Sequence, residues 1–318
     1  LKQKRSLRDY FIIFTKGLGM GTADVVPGVS GGTIAFIAGI YEELIDSISR
    51  INIQAIQTLK NDGFAAFWKY VNGNFFVALL SGIATAIISL ARFITYLLDN
   101  HPVLIWSFFF GLVFASIYFV ALRVTQWNTK TILAFAVGAV LAYGVTSLPA
   151  QPESDALWYI FISGMIAICA MILPGISGSF ILLLMGSYEV VLGAIKDKNL
   201  TIIAVFGTGA VIGLLSFSRL LKWMFSKYHN ITIALLSGFL LGSLNKIWPW
   251  KQTITSYTKH AGLPNEKVVP IEQVNLLPHE FEKAMNGDAQ MLGSILLCFA
   301  GMAVIVGLEL LGNKKPAK

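Results

Sequence analysis

One peptide occurs twice in this chain, 147 positions apart, and each copy interrupts an apolar run. Residues 26–42 read VPGVSGGTIAFIAGIYE, and residues 173–189 read LPGISGSFILLLMGSYE. The shared frame is P-G-x-S-G, then Gly39/Gly186, Tyr41/Tyr188 and Glu42/Glu189 at matched offsets. A Pro-Gly break frees backbone groups that hydrocarbon cannot satisfy, so it must be buried in protein or line a wet cavity. Matched breaks in two halves of a membrane chain point to a binding site between them.

The rest of the chain sets the membrane context. It is 55% apolar and 13% charged, with a mean hydropathy of +0.69, which excludes an ordinary soluble domain. Apolar runs over 75–98, 102–122, 131–148, 200–223, 231–247 and 291–311 approach the roughly 20 residues a crossing needs. Cys169 and Cys298 both fall in apolar runs and read as packing residues.

The repeat continues beyond the break at a shorter offset of 127. Gly82 matches Gly209, Arg92 matches Arg219, Gly111 matches Gly238, and Ser116 matches Ser243. The first half therefore carries 20 extra residues, within 51–71. That stretch mixes Phe64, Phe67 and Trp68 with Lys60, Asp62 and Lys69, and reads as an interfacial amphipathic helix or a polar loop. The arms around each Pro-Gly are about 15 residues long, short for a span, which favours re-entrant hairpins. Three crossings per half follow, or five if the arms span fully; both counts are odd, so the halves must be inverted. The expected fold is all-α: a polytopic membrane protein of two inverted-topology repeats, residues 1–148 and 149–318. Each is a broken re-entrant hairpin followed by three transmembrane helices, and residues 248–288 form an external loop. With cytoplasmic termini, fifteen Lys and Arg fall inside and seven outside, in keeping with the positive-inside rule. Trp248 and Trp250 read as interfacial anchors.

The breaks also suggest chemistry. Ser is a natural helix N-cap, and Gly lets a ligand approach the backbone. Each P-G-x-S-G thus predicts a half-helix whose N-terminal N–H groups and positive dipole end open at a hairpin tip, where they suit an anion. Inversion would bring Gly28, Ser30, Gly31 and Gly32 opposite Gly175, Ser177, Gly178 and Ser179. The bland alternative is a glycine-rich helix crossing with no ligand. Arg92 and Arg219, each flanked by apolar residues, are costly in a span; they either snorkel to headgroups or hold an anion on each side through their planar forks. Asp24, Glu42 and Glu189 are candidate proton carriers or, equally, solvated and capping groups.

The pair GMGTADVVPGVSGGTIAFIAGIYEELI and MILPGISGSFILLLMGSYEVVLGAI resembles the PopT-type polyprenyl-phosphate transporter family over essentially the whole chain. The resemblance implies a multi-pass protein of the bacterial cytoplasmic membrane that returns undecaprenyl phosphate from the outer to the inner leaflet for cell-envelope glycan synthesis. It implies the lipid phosphate and the bilayer as partners. Inward movement of an anion opposes an inside-negative potential, which makes protons or sodium candidate coupling ions. No cofactor, metal, nucleic acid or catalytic residue is expected. The P-G-x-S-G frame also resembles the P-G-x-S-R-S-G motif of membrane undecaprenyl-pyrophosphate phosphatases. Here Gly31 and Gly178 stand where that motif has Arg, and the paired-glutamate motif is missing, which disfavours hydrolysis. A carrier for a small inorganic anion would use the same tips.

Overall fold

The computed structural model describes residues 5–26, 29–259 and 267–312. The first break separates α1 (Leu7–Asp24), α2 (Gly31–Ile37) and α3 (Tyr41–Ser49); the second separates α8 (Leu157–Ile172), α9 (Gly178–Leu184) and α10 (Tyr188–Lys196). The 147-residue offset holds for both ends of α2 and α9 and of α3 and α10. Glycine explains the stop after each half-helix. Gly39 and Gly186 follow the C-caps of α2 and α9 with φ of 69° and 64°, the left-handed conformation that ends a helix without a Cβ penalty.

α5 (Gly73–Asn100) and α11 (Leu200–Lys227) obey the 127-residue offset at both ends. They lead into α6 (Pro102–Ala121) and α7 (Thr129–Ser147) in the first part, and α12 (His229–Ser243) and α14 (Met291–Gly312) in the second. α5, α6, α7 and α11 are long and apolar enough to cross a membrane. Their outward faces carry exposed apolar residues such as Ile88, Val140 and Val211, as expected where lipid replaces water.

Glycines fix how the helices cross, and the crossings recur at equivalent positions. A Cβ on Gly82 in α5 would lie 2.1 Å from the Phe14 carbonyl oxygen of α1, and one on Gly209 in α11 would lie 2.1 Å from that of Phe161 in α8. The later helices exchange partners. Gly111 of α6 meets the Cys298 carbonyl of α14, while the equivalent Gly238 of α12 meets the Phe135 carbonyl of α7. Backbone approach this close needs a residue without a side chain, the small-residue packing typical of membrane helices.

Two stretches lie outside the matched helices, and the second departs from expectation. Residues 51–71 form α4 (Ile53–Tyr70), capped by Asn52 and broken at Gly63, which has φ 81°. Ile53, Ile56 and Phe64 are exposed on it. The expected all-α chain also contains a β-hairpin. β1 (Lys251–Lys259) and β2 (Lys267–Asn275) pair antiparallel, with Lys251 opposite Asn275, and α13 (Pro278–Met285) follows. β1 carries Thr253, Ile254 and Thr255 between polar residues, a strand pattern that lay inside what reads as loop. Trp250 corrects the anchor reading: it is buried, and its indole N–H donates to the Ala289 carbonyl at 2.9 Å. Trp248 donates to the Leu276 carbonyl, so both rings pin the hairpin to the helices.

Candidate functional site

Each broken segment folds back towards the end of the bundle where it starts. Arg5, just before α1, makes a two-point contact with Glu43 of α3 at 2.5 and 2.8 Å. Asn72, at the start of α5, also donates to Glu43, so the outer limbs of the first hairpin close at one end of the bundle. That end, here end A, also holds the Asp46–Lys222, His229–Glu42 and Arg123–Glu309 pairs. The second hairpin closes differently: the Gln151 N–H donates to the Leu184 carbonyl and the Tyr159 hydroxyl to that of Met185. α9 and α10 are bent by 107°. This closure lies at the opposite end B, with Asn245 and the β-hairpin.

The tips meet in the interior. Ser30 caps α2 by accepting from the Gly32 N–H at 3.1 Å, and its hydroxyl donates to the Met171 carbonyl of α8 at 3.1 Å. In return, the Gly175 N–H donates to the Thr33 hydroxyl at 2.8 Å. A Cβ on Gly32 would lie 2.5 Å from the Ile172 carbonyl oxygen. Ser30, Thr33 and Ser177 are buried. The two breaks thus meet through Ser30, Gly32 and Thr33 on one side and Met171, Ile172 and Gly175 on the other; Gly28 lies outside the described residues.

The tips are not equivalent electrically. The first already holds an anion: Asp24 accepts from the Gly31 N–H at 2.7 Å, filling the position suited to negative charge at a helix N-terminus. The position equivalent to Asp24 is Met171. At the second tip Ser177 makes no side-chain cap, and its hydroxyl instead pairs with that of Ser179 at 2.8 Å.

The two ends also differ. Towards end A, Arg123 donates to the Phe36 and Ile37 carbonyls at 3.0 Å each, and Lys16 donates to the Ala38 carbonyl at 2.6 Å. These cations satisfy the last carbonyls of α2 and complement its negative dipole end. Tyr41 packs between the rings of Phe36 and Phe225. Towards end B lies a cavity of about 840 Å³, lined by Tyr143, Gln151, Phe180, Tyr188, Glu189 and Lys246 among others.

The remaining predicted residues are scattered. Arg92 and Arg219 are exposed on the bundle surface. Arg219 donates to the Ile51 carbonyl at 3.3 Å, and among the described residues neither arginine bonds to a tip. Glu42 pairs with His229 at end A, whereas Glu189 lines the cavity at end B. Tyr41 is core and Tyr188 lines the cavity, so the matched tyrosines do different work. Sequence reasoning missed Arg123, Lys246 and Lys251. The repeat gave no signal for Arg123, whose equivalent is Trp250, and Lys246 and Lys251 looked like ordinary loop lysines beside aromatic residues.

Two discontinuous hairpins meeting inside a bundle of apolar helices define a polytopic membrane protein built around broken helical segments. The model of a family described as undecaprenyl phosphate translocase-like matches residues 20–264, and the chain belongs to that family. It is 47% identical over 306 residues to a polyprenyl-phosphate transporter of Vibrio cholerae, covering 96% of this chain and 98% of the relative. It is 32% identical over 258 residues to a polyprenyl-phosphate transporter of Staphylococcus aureus, covering 75% of this chain and 86% of the relative. No solved structure matches.

Proposed function

We propose that this chain transports polyprenyl phosphate, returning undecaprenyl phosphate from the outer to the cytoplasmic leaflet of the bacterial inner membrane. The observation that carries the reading is the tip-to-tip contact of the two broken hairpins, with a cavity at end B walled in part by α9. Family membership and the names of the two relatives support the substrate. A phosphate monoester bears about −1.5 to −2 charges, and moving it bare through hydrocarbon is prohibitive. The tail needs no shelter, so the protein need provide only a polar path for the headgroup.

The two halves, residues 1–148 and 149–318, act on this reading as inverted repeats. Their matched crossings, and closure of one hairpin at each end, support it. End A is cytoplasmic, in keeping with its Lys and Arg excess, and α4 lies in the membrane interface with its exposed apolar residues in lipid. The tips are closed here, because Ser30, Thr33 and the Gly31 and Gly175 N–H groups all bond within the protein. Passage then requires the tips to part, exposing Ser30, Gly31, Gly32, Gly175, Ser177, Gly178 and Ser179 to the phosphate. Asp24, which occupies the anion position of the first tip, is the foremost candidate for a coupling proton, ahead of Glu42 and Glu189.

Transport without hydrolysis fits the serines. Ser30 is spent on a cap and on carbonyl oxygens, and Ser177 pairs with Ser179, so neither is aligned with a general base as a nucleophile requires. The test is leaflet exposure of undecaprenyl phosphate in proteoliposomes, with released phosphate assayed in the same samples. Movement without release supports the proposal; release that disappears in Ser30→Ala or Ser177→Ala would make the protein a hydrolase.

A further inference from the structure

The end-B cavity contains a cation that the tips do not use. Lys246 follows the last turn of α12 and is only partly exposed, and among the described residues no carboxylate forms an ion pair with it. Its ammonium sits over the Phe180 ring, 4.5 Å from the centroid. Behind it, Lys251 at the start of β1 donates to the Lys246 backbone carbonyl and lies 4.0 Å over the Trp106 ring. Aromatic faces attract cations but leave ammonium N–H groups available to an oxygen acceptor.

We propose that Lys246 docks the phosphate monoester of a lipid in the end-B cavity before the headgroup reaches the tips. This rests on the transporter reading above and names where its substrate first binds. Three further observations support it. Phe180, which carries the ammonium, belongs to α9, so the cavity wall is the half-helix whose N-terminus forms the second tip. Tyr143, 57% exposed on α7, lines the same cavity; the space reaches the outer face of the bundle, where a tail stays in lipid. Burial pushes the ammonium of Lys246 below the ordinary lysine range, so an arriving anion relieves a cost already present. Glu153 and Glu189 also line the cavity and oppose the larger charge of a diphosphate.

The ligand chemistry is a phosphate monoester, and the test separates lipid from free phosphate. Purified full-length protein is titrated with farnesyl monophosphate, farnesyl diphosphate and inorganic phosphate, reading calorimetric binding and ligand-induced thermal shift. The variants are Lys246→Gln, Lys246→Arg and, as an exposed control, Lys196→Gln. The monophosphate should bind wild type best, about tenfold weaker in Lys246→Gln, partly restored in Lys246→Arg and unchanged in Lys196→Gln; tenfold is about 1.4 kcal/mol. An unliganded melting curve for each variant establishes that it is folded. Equal binding of inorganic phosphate would overturn the lipid assignment. Wild-type binding by Lys246→Gln, in a protein that still moves lipid phosphate, would overturn the docking role and leave the transporter reading intact. If the wild type moves no lipid phosphate, both fall.

Discussion

The Asp24 carboxylate accepts a hydrogen bond from the Gly31 backbone N–H at 2.7 Å, across the break between their helices. The half-helix α2 therefore carries its own counter-anion, and a phosphate can take that place only if the carboxylate leaves or is neutralised. Asp24→Asn keeps an oxygen acceptor and loses the charge. Asp24→Ala leaves the Gly31 N–H without its acceptor while Ser30 still caps α2, at a cost of about 1 kcal/mol. We expect Asn to melt above Ala, and both to abolish any response of transport to an imposed pH gradient. A normal response in Asp24→Asn would remove Asp24 from the coupling step.

Substitutions at the tip glycines should separate by what a side chain would meet. A Cβ on Gly31 would lie 2.5 Å from Asp24 Oδ2, whereas one on Gly178 would lie 2.8 Å from the Ala167 carbonyl oxygen. A carboxylate can swing away; a helix backbone cannot. Gly31→Ala should keep part of its transport, and Gly178→Ala should lose more. Valine at either position should abolish transport without loss of membrane insertion, read from vesicle flux against protein recovered in membranes.

Arg123 holds the end-A closure. Arg123→Ala removes two bonds to α2 carbonyls and the pair with Glu309. It should lower stability by about 1.5–3 kcal/mol, the range for hydrogen bonds to charged groups. Arg123→Lys should recover part of this, because one ammonium cannot match the guanidinium's reach to both oxygens. A melting temperature unmoved by Arg123→Ala would show that end A is held by packing alone.

Topology is tested at α13. Lys283 is exposed at end B, and Cys at this position should react with an impermeant maleimide from outside intact cells. Labelling from the cytoplasmic side alone would reverse the orientation and the direction of transport proposed with it.

The cavity should be pH-sensitive in a definite direction. Burial lowers the pKa of Lys246, and burial together with Lys246 lowers that of Lys251; Glu153, Glu189 and Tyr188 share the same cavity. As pH rises through the depressed Lys246 value, its ammonium is lost and monophosphate affinity should fall. Stability moves the other way. A lysine whose folded pKa lies below its unfolded one binds fewer protons when folded, so the protein gains stability across that window as pH rises. Lys246→Gln should therefore bind less tightly yet melt higher at neutral pH without ligand. Calorimetric titration and melting curves from pH 6 to about 9.5, spanning most of the range below the ordinary lysine pKa, check both halves.

The breaks were legible because proline and glycine act locally: P-G-x-S-G located both tips, and the 147 and 127 offsets located the helices around them. The convergence of Ser30 with α8 followed from the repeat. The electrical inequality did not, because it rests on Asp24 standing opposite Met171 and on a bond whose geometry the sequence does not carry. Arg92 and Arg219 show the limit of symmetry as a guide, since equivalent residues can both face outward. The cavity was hidden for a different reason. Its walls come from α7, α9, the loop after α12 and a β-hairpin, segments distant in sequence whose lysines look ordinary until they are folded over Phe180 and Trp106.

The exchanged pairing of the later helices bears on how the chain is made. α7 lays Gly138 against the Leu235 carbonyl of α12, and α6 lays its Phe108 carbonyl against Gly301 of α14. When ribosomal synthesis has delivered α6 and α7 to the bilayer, neither partner yet exists. The nascent first half must wait with its close-packing seams facing lipid or an insertion chaperone, and α14, made well after them, closes the α6 seam. Cut between residues 148 and 149, each fragment would keep its own crossing, α1 on α5 or α8 on α11, but would lack the partners of its later helices, and the two pieces could regain the native bundle only by meeting in the same membrane.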